Sequence, residues 1–364
     1  MKKNKFLVLL LILSITILSF GCGKGISESV MEYKGKSFSE CDYSYWMSTY
    51  KYNFLYSFNS DTESDDFWES NIKDGVTYEQ YISDTILYDS ECRTAALKLF
   101  DDYNLKISES DLEEIDNDIN DKIENHGSRE EINTKLAKMN LNLDLLRDVY
   151  TNNLKYDKVY DYLYGDNGTE APTADELKSY YEQNCVCVKF ITVYSGVELD
   201  TDDSGNYLYD DNGKLKYTEL TEDEKTVKQK LVDTVIAAIE GGADIDSCVK
   251  DYSDIDYSEN PNGFILCEND AQNYGSDIIK TAISLDVGKT AKVSDDSLTY
   301  IIYKCKLPQY STLSATDLST TDIKTYCTNE KYKTFFDELI KDVSVNEEII
   351  KKYSIRDVSK NAYF

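Results

Sequence analysis

Histidine is all but absent from this 364-residue chain, with His126 as its single instance. It stands in Glu-Asn-His-Gly-Ser between two helical patterns, where Gly127 reads as a helix C-cap and the imidazole as a surface helix end. A metal site with several histidines is therefore excluded within one chain, and a Ser-His-Asp triad or Cys-His dyad would have to use this surface helix end. Proline is nearly as scarce: Pro172, Pro261 and Pro308 each fall at a boundary or a loop. Cations are outnumbered, with 39 Lys and Arg against 68 Asp and Glu and a net charge of −29. Phosphate backbones and anionic lipid heads repel such a chain, which excludes nucleic acid as a partner. Basic polypeptide segments are attracted to it in a salt-dependent way. No Cys-x-x-Cys pair occurs among the nine cysteines, which argues against zinc, and no cofactor is expected.

Only one long uncharged run exists, residues 6–20, too short for a comfortable permanent span of a bilayer. Lys2, Lys3 and Lys5 precede it and Gly21-Cys22 follows at once. Cationic start, apolar core and small residue before cysteine resemble a bacterial lipoprotein signal. The resemblance implies removal of residues 1–21 and a lipid on Cys22, the new N-terminus. An ordinary signal peptide and an uncleaved anchor are the alternatives. All three readings put the rest of the chain outside the cytoplasm, and the first tethers it to the membrane.

What the chain does have is aromatic mass, 31 Tyr and 12 Phe, which with regular Leu, Ile and Val argues for packed structure despite the acidity. Residues 22–30 read as a tether, and from Met31 to residue 164 the pattern is helical. Ser39 with Asp42 opens a helix whose Tyr43, Trp46, Tyr50 and Phe54 share one face, read as a core stripe or as an apolar groove for clients. Further helices are expected over residues 78–103, from Ser108 or Ser110 to His126, from the capping box Ser128-x-x-Glu131, and over 141–163. Residues 165–172 read as a linker. Thr173-x-x-Glu176 caps a short helix, residues 186–193 read as a strand, and Thr221-x-x-Glu224 starts a helix stopped by Gly241-Gly242. A helix over 245–252, a strand over 263–266, a helix over 277–284 and a strand over 299–304 complete a small α+β domain with an antiparallel sheet, 173–308. Residues 309–364 hold a helix over 320–340 and an amphipathic piece over 347–353. The long helix is expected to return to the N-terminal helices, making an all-helical domain discontinuous in sequence.

The motifs of the middle segment resemble the parvulin-type peptidyl-prolyl isomerase domain. Ala-Ile-Glu-Gly-Gly-Ala-Asp at the end of one helix, Tyr252-Ser253-Asp254, Asn262-Gly263-Phe264-Ile265, Ile283-Ser-Leu-Asp-Val-Gly288 and Tyr-Ile-Ile-Tyr at 300–303 follow in the family's order. Tyr33-Lys-Gly-Lys-Ser-Phe-Ser39 and Thr173-Ala-Asp-Glu-Leu-Lys-Ser-Tyr-Tyr181 resemble the chaperone segments of PrsA/SurA-like foldases. The resemblance implies a helical chaperone domain with an inserted parvulin-like domain. Parvulins carry a histidine in the first strand and another in the last, and Phe190 and Tyr300 stand at those positions. The cleft acid maps to Asp254, Ile255 and Asp256, and the apolar proline pocket to Tyr274 and Ile278. Phe190 neither donates nor accepts a hydrogen bond, and Tyr300 offers only a hydroxyl. If the family's pairing sets Phe190 opposite Tyr300, the same register sets Cys185 opposite Cys305, a disulfide candidate.

Asp200, Asp202, Ser204 and Asp211 satisfy the spacing of an EF-hand-like calcium loop. Their flanks are strand-like, so a plain acidic hairpin is the favoured reading. The expected function is that of an extracytoplasmic, membrane-anchored foldase or holdase for unfolded or partly folded secreted polypeptides, with weak or no prolyl isomerase activity. The alternatives are an active isomerase with an unusual site, and a surface protein that binds one specific partner.

Overall fold

The computed structural model describes residues 28–58, 63–73, 75–202, 204–210, 213–313, 320–361 and 364. Cys22, the lipid candidate, and Asp211, the fourth calcium candidate, lie outside the described residues. Contacts gather the rest into two units, one of the described residues up to Ala171 with Tyr332–Phe364, the other of Pro172–Lys331.

The first unit opens as a hairpin, not a helix. β1 (Ser29–Tyr33) and β2 (Lys36–Ser39) pair antiparallel. Lys34 and Gly35 both have positive φ, the conformation that a tight two-residue hairpin turn demands. Ser39 then caps α1 (Glu40–Ser57) through a reciprocal box with Asp42. Tyr43, Trp46, Tyr50 and Phe54 of α1 pack into a core with Trp68, Ile82 and Ile86, so the aromatic stripe is core. A short α2 (Asp65–Glu69) and a small hairpin, β3 (Asn71–Lys73) with β4 (Val76–Thr77), lead to α3 (Tyr78–Asp102). Three helices follow: α4 (Glu109–His126), α5 (Arg129–Ala137) and α6 (Leu143–Tyr164). Ser108 with Asp111 and Ser128 with Glu131 form capping boxes on the first two.

The second unit begins with α7 (Ala174–Asn184), capped by Thr173 and Glu176. β5 (Val186–Tyr194) is next, then the hairpin β6 (Val197–Leu199) and β7 (Tyr217–Glu219). α8 (Glu222–Glu240), α9 (Ile245–Tyr252), β8 (Phe264–Leu266), α10 (Ala271–Tyr274), α11 (Ser276–Ser284), β9 (Thr290–Ser294) and β10 (Leu298–Cys305) complete it. The sheet is antiparallel in the order β8-β5-β10-β9. Side chains alternate across it. Val188, Phe190 and Ile302 pack on α11, while Ile191, Val193 and Ile301 pack on α8 and α9.

α12 (Thr320–Leu339) carries the chain out of the second unit. β11 (Ser344–Val345) then joins β1, giving a sheet in the order β11-β1-β2, and α13 (Glu347–Ile350) follows. The expectation of an all-helical domain is thereby corrected: segments near its start and near its end meet as strands. Among the described residues, no helix is long and apolar enough to cross a membrane.

The register corrects a second expectation. Phe190 is opposite Ile302 and Tyr300 is opposite Thr192, two residues away from the pairing read from the sequence. Cys305 therefore faces Cys187, and Cys185 is joined in a disulfide to Cys267, with Cα atoms 4.6 Å apart. Val186 pairs with Leu266 across β5 and β8, so the next position out brings Cys185 to Cys267.

Candidate functional site

Phe190 is the floor of the site. It sits mid-strand in β5, 3% exposed, on the face that packs against α11. Four rings surround it, with centroids at 5.4 Å (Phe264), 5.9 Å (Tyr274), 6.2 Å (Tyr300) and 6.3 Å (Tyr257). Tyr300 meets it edge-on as a diagonal neighbour across β5 and β10, an arrangement that aromatic pairs favour. Ile278 of α11 is buried in the same cluster. Phe190, Tyr274, Ile278 and Tyr300 are thus brought together on one face.

Tyr257 and Phe264 complete the ring of aromatics, and the sequence had not singled out either side chain. Phe264 arrives through the turn at Gly263, whose φ is +87° and whose missing Cβ would lie 2.5 Å from the Val188 carbonyl oxygen. Only glycine fits that close approach. The Tyr257 hydroxyl lies 2.6 Å from Thr192 Oγ1, a half-buried hydroxyl pair beside Phe190. Strict alternation along β5 places Thr192 on the Phe190 face, so that residue was within reach of the sequence pattern.

Asp254, Ile255 and Asp256 occupy the loop after α9, and the loop serves the edge of β5. β8 pairs with β5 only as far as Val188, which leaves the rest of that edge without a strand. The loop supplies the missing partners. Ser253 Oγ accepts the Thr192 N–H at 3.1 Å, the Asp254 N–H donates to the Thr192 carbonyl at 2.7 Å, and Asp254 Oδ2 accepts the Tyr194 N–H at 2.8 Å. Lys228 lies 3.7 Å from the same carboxylate. Asp256 is turned to its own backbone, accepting the Ser258 N–H at 2.8 Å, which lowers its pKa. Asp254, Ile255 and Asp256, with Phe190, Lys250, Pro261 and Phe264, line a hollow of about 630 Å³.

The chemistry open to this arrangement is limited. Burial pushes the phenols of Tyr257, Tyr274 and Tyr300 above their ordinary value. All three keep their protons at neutral pH, so none is a base, and the face offers an apolar surface with a few hydroxyl dipoles. Rotation about a prolyl amide needs no nucleophile, only stabilisation of a twisted bond with a barrier of about 18–20 kcal/mol.

The acidic segment after β6 is a hairpin, extended by bridges between Thr201 and Tyr207 and between Tyr209 and Leu215. Asp200 accepts from the Thr218 hydroxyl at 2.8 Å, and Asp202 accepts from the backbone of Ser204 and Asn206 at 2.8 and 2.9 Å. Ser204 donates its backbone N–H to that aspartate. Among the described residues there is no cluster of three or more potential metal ligands.

No family model and no curated protein matches the chain. Among solved structures, the foldase protein PrsA from Streptococcus pneumoniae is 15% identical, with 78% of this chain and 97% of that chain covered and a TM-score of 0.26. PrsA from Bacillus subtilis is 16% identical, with 79% and 94% covered and a TM-score of 0.24. The foldase protein PrsA from Lactococcus lactis is 13% identical, with 90% and 100% covered and a TM-score of 0.27.

Proposed function

We propose that this chain is an extracytoplasmic foldase or holdase, tethered by a lipid on Cys22, that holds secreted polypeptides before they fold. Its helical domain is discontinuous in sequence and carries the parvulin-like segment as an insertion whose isomerase activity is weak or absent. The observation that carries this reading is the aromatic cluster. Where the parvulin resemblance implies two histidines, Phe190 and Tyr300 fill the space with Tyr257, Phe264 and Tyr274. Such a face favours apolar and proline-bearing segments over acid-base chemistry.

Aromatic surface on the first unit supports the same reading. Tyr56 is 75% exposed and stacks on Tyr52, and the exposed Phe58 and Tyr81 each pack against Phe54. Exposed aromatics in contact with one another suit transient capture of unfolded chain. The acidity of the molecule favours basic segments and keeps the holder itself in solution.

Two measurements on the chain without residues 1–21 test the reading. Prolyl cis-trans exchange on a short Xaa-Pro peptide, followed by NMR, should show no acceleration at catalytic concentration. Light scattering from a reduced, unfolded secreted protein should fall when the chain is added at about equal concentration. Clear acceleration of exchange would establish the isomerase alternative, for which the Thr192–Tyr257 hydroxyl pair supplies oriented dipoles. Unchanged scattering, with tight binding to one folded protein, would establish the specific-partner alternative.

A further inference from the structure

Beyond the Cys185–Cys267 disulfide, the described cysteines include one directly opposed pair on neighbouring strands. Cys187 of β5 faces Cys305 of β10 in the antiparallel register. Directly opposed residues have Cα atoms about 4.5 or 5.5 Å apart, according to the type of site, and both separations allow a disulfide. The two thiols are close enough to shift each other's ionisation. We propose that Cys187 and Cys305 form a redox-active dithiol that closes into a cross-strand disulfide by exchange with a small-molecule disulfide.

The two thiols are unequal in a way that assigns their roles. Cys187 is 1% exposed, and its Sγ also lies 3.4 Å from the Asn262 carbonyl oxygen. Cys305 is only half-buried. The neighbouring Cys187 thiol lowers the Cys305 pKa, and the Lys189 ammonium lowers it further, against the effect of burial. The Cys305 thiol raises that of Cys187, with burial acting the same way. Cys305, the thiol an external disulfide can reach, is therefore the attacking sulfur, and the enclosed Cys187 is the resolving one.

The chemistry is two successive exchanges. The Cys305 thiolate attacks one sulfur of an external disulfide RSSR, forming Cys305–S–SR and releasing RS⁻, which takes up the proton that Cys305 lost. Cys187 then gives up its proton and attacks the Cys305 sulfur, forming Cys187–S–S–Cys305 and releasing the second RS⁻, which takes up that proton. Two protein thiols are oxidised to one disulfide, and RSSR is reduced to two RSH. The bond ties β5 to β10, the strands that bear Phe190 and Tyr300, from the opposite face of the sheet. This inference stands on the sheet register and does not depend on the foldase reading.

The test is oxidation of the folded chain with oxidised glutathione, quenching with N-ethylmaleimide, and sequencing of linked peptides by tandem mass spectrometry. Fragmentation must separate Cys185 from Cys187, because no tryptic site divides them. The expected product is a Cys187–Cys305 link beside an intact Cys185–Cys267 link. The Cys187→Ser variant should stop at glutathione on Cys305. In the Cys305→Ser variant Cys187 should stay unmodified until the chain is unfolded. Before oxidation, iodoacetamide should label Cys305 at least about tenfold faster than Cys187. Persistent glutathione on Cys305 in the unsubstituted chain, or Cys187 joined to Cys185 or Cys267, would overturn the proposal. The mapping of the unsubstituted chain decides the matter even if a variant fails to fold.

Discussion

Replacing Phe190 by alanine isolates one structural claim, that its ring is the buried centre of the aromatic cluster. The side chain is 3% exposed and touches four rings whose centroids lie 5.4–6.3 Å away. Burial of a phenylalanine is worth about 1.5–3 kcal/mol, and the cavity left by truncation brings the usual cost of Phe→Ala to about 3–5 kcal/mol. Both tryptophans, Trp46 and Trp68, belong to the other unit. Tryptophan fluorescence in urea therefore reports that unit, and hydrogen exchange of the β5 amides reports the site. At about 1.4 kcal/mol per decade, exchange in β5 should speed up by about two to three and a half decades, while the fluorescence midpoint stays in place. Prolyl exchange per folded molecule should not change, because Phe190 has no hydrogen-bonding atom to lose. A destabilisation of β5 below about 1 kcal/mol, typical of surface positions, would refute the argument that Phe190 is a core ring.

Asp254→Asn keeps an acceptor for the Tyr194 N–H and should leave β5 exchange near that of the unsubstituted chain, whereas Asp254→Ala should cost about 1–3 kcal/mol; equal losses in both would point to a role for the charge. Gly263→Ala should lower the melting temperature, with about 1–3 kcal/mol of strain, since its φ is +87° and the new Cβ would strike the Val188 carbonyl; an unchanged melt would show that the turn adapts. Glu176 is held at about 2, below the ordinary 4.5, first by its hydrogen bond from Lys331 and then by the Thr173 backbone. A folded-state pKa lowered in this way adds stability that is complete above the ordinary value and is lost as pH falls through about 2, so Glu176→Gln should flatten that acid limb of the urea midpoint slightly; an acid limb identical in both proteins would count against the coupling. Millimolar calcium should leave the melting temperature unchanged, because Asp202 already accepts from Ser204 and Asn206, and a rise would restore the calcium reading.

Helix starts were legible because capping is local: Ser39, Ser108, Ser128, Thr173 and Thr221 each cap with an acid three residues on. The sheet of the first unit was not, because β1 finds β11 at the far end of the chain and two residues of β11 carry no pattern of their own. The register of β5 on β10 was misread for a related reason. No hairpin joins those strands, so no turn fixes their alignment. A slip of two residues preserves the face of every side chain, however, because the strand period is two. Phe190 and Tyr300 therefore share a face as read, while the cysteine partners, which depend on alignment rather than face, came out wrong.

The same geometry gives Asp254 a structural task at the edge of β5. Asp254 stands in the order of motifs where a cleft acid is implied, yet its carboxylate completes the hydrogen bonding of a strand edge that β8 leaves open. Its backbone N–H does likewise for the Thr192 carbonyl. Thr192 in turn is the residue whose hydroxyl meets Tyr257 beside Phe190. Loss of any activity on removing Asp254 would thus be expected from a shifted β5 as much as from a missing acid. A side-chain acceptor at this place is required by the open edge of β5 before any catalysis is asked of it.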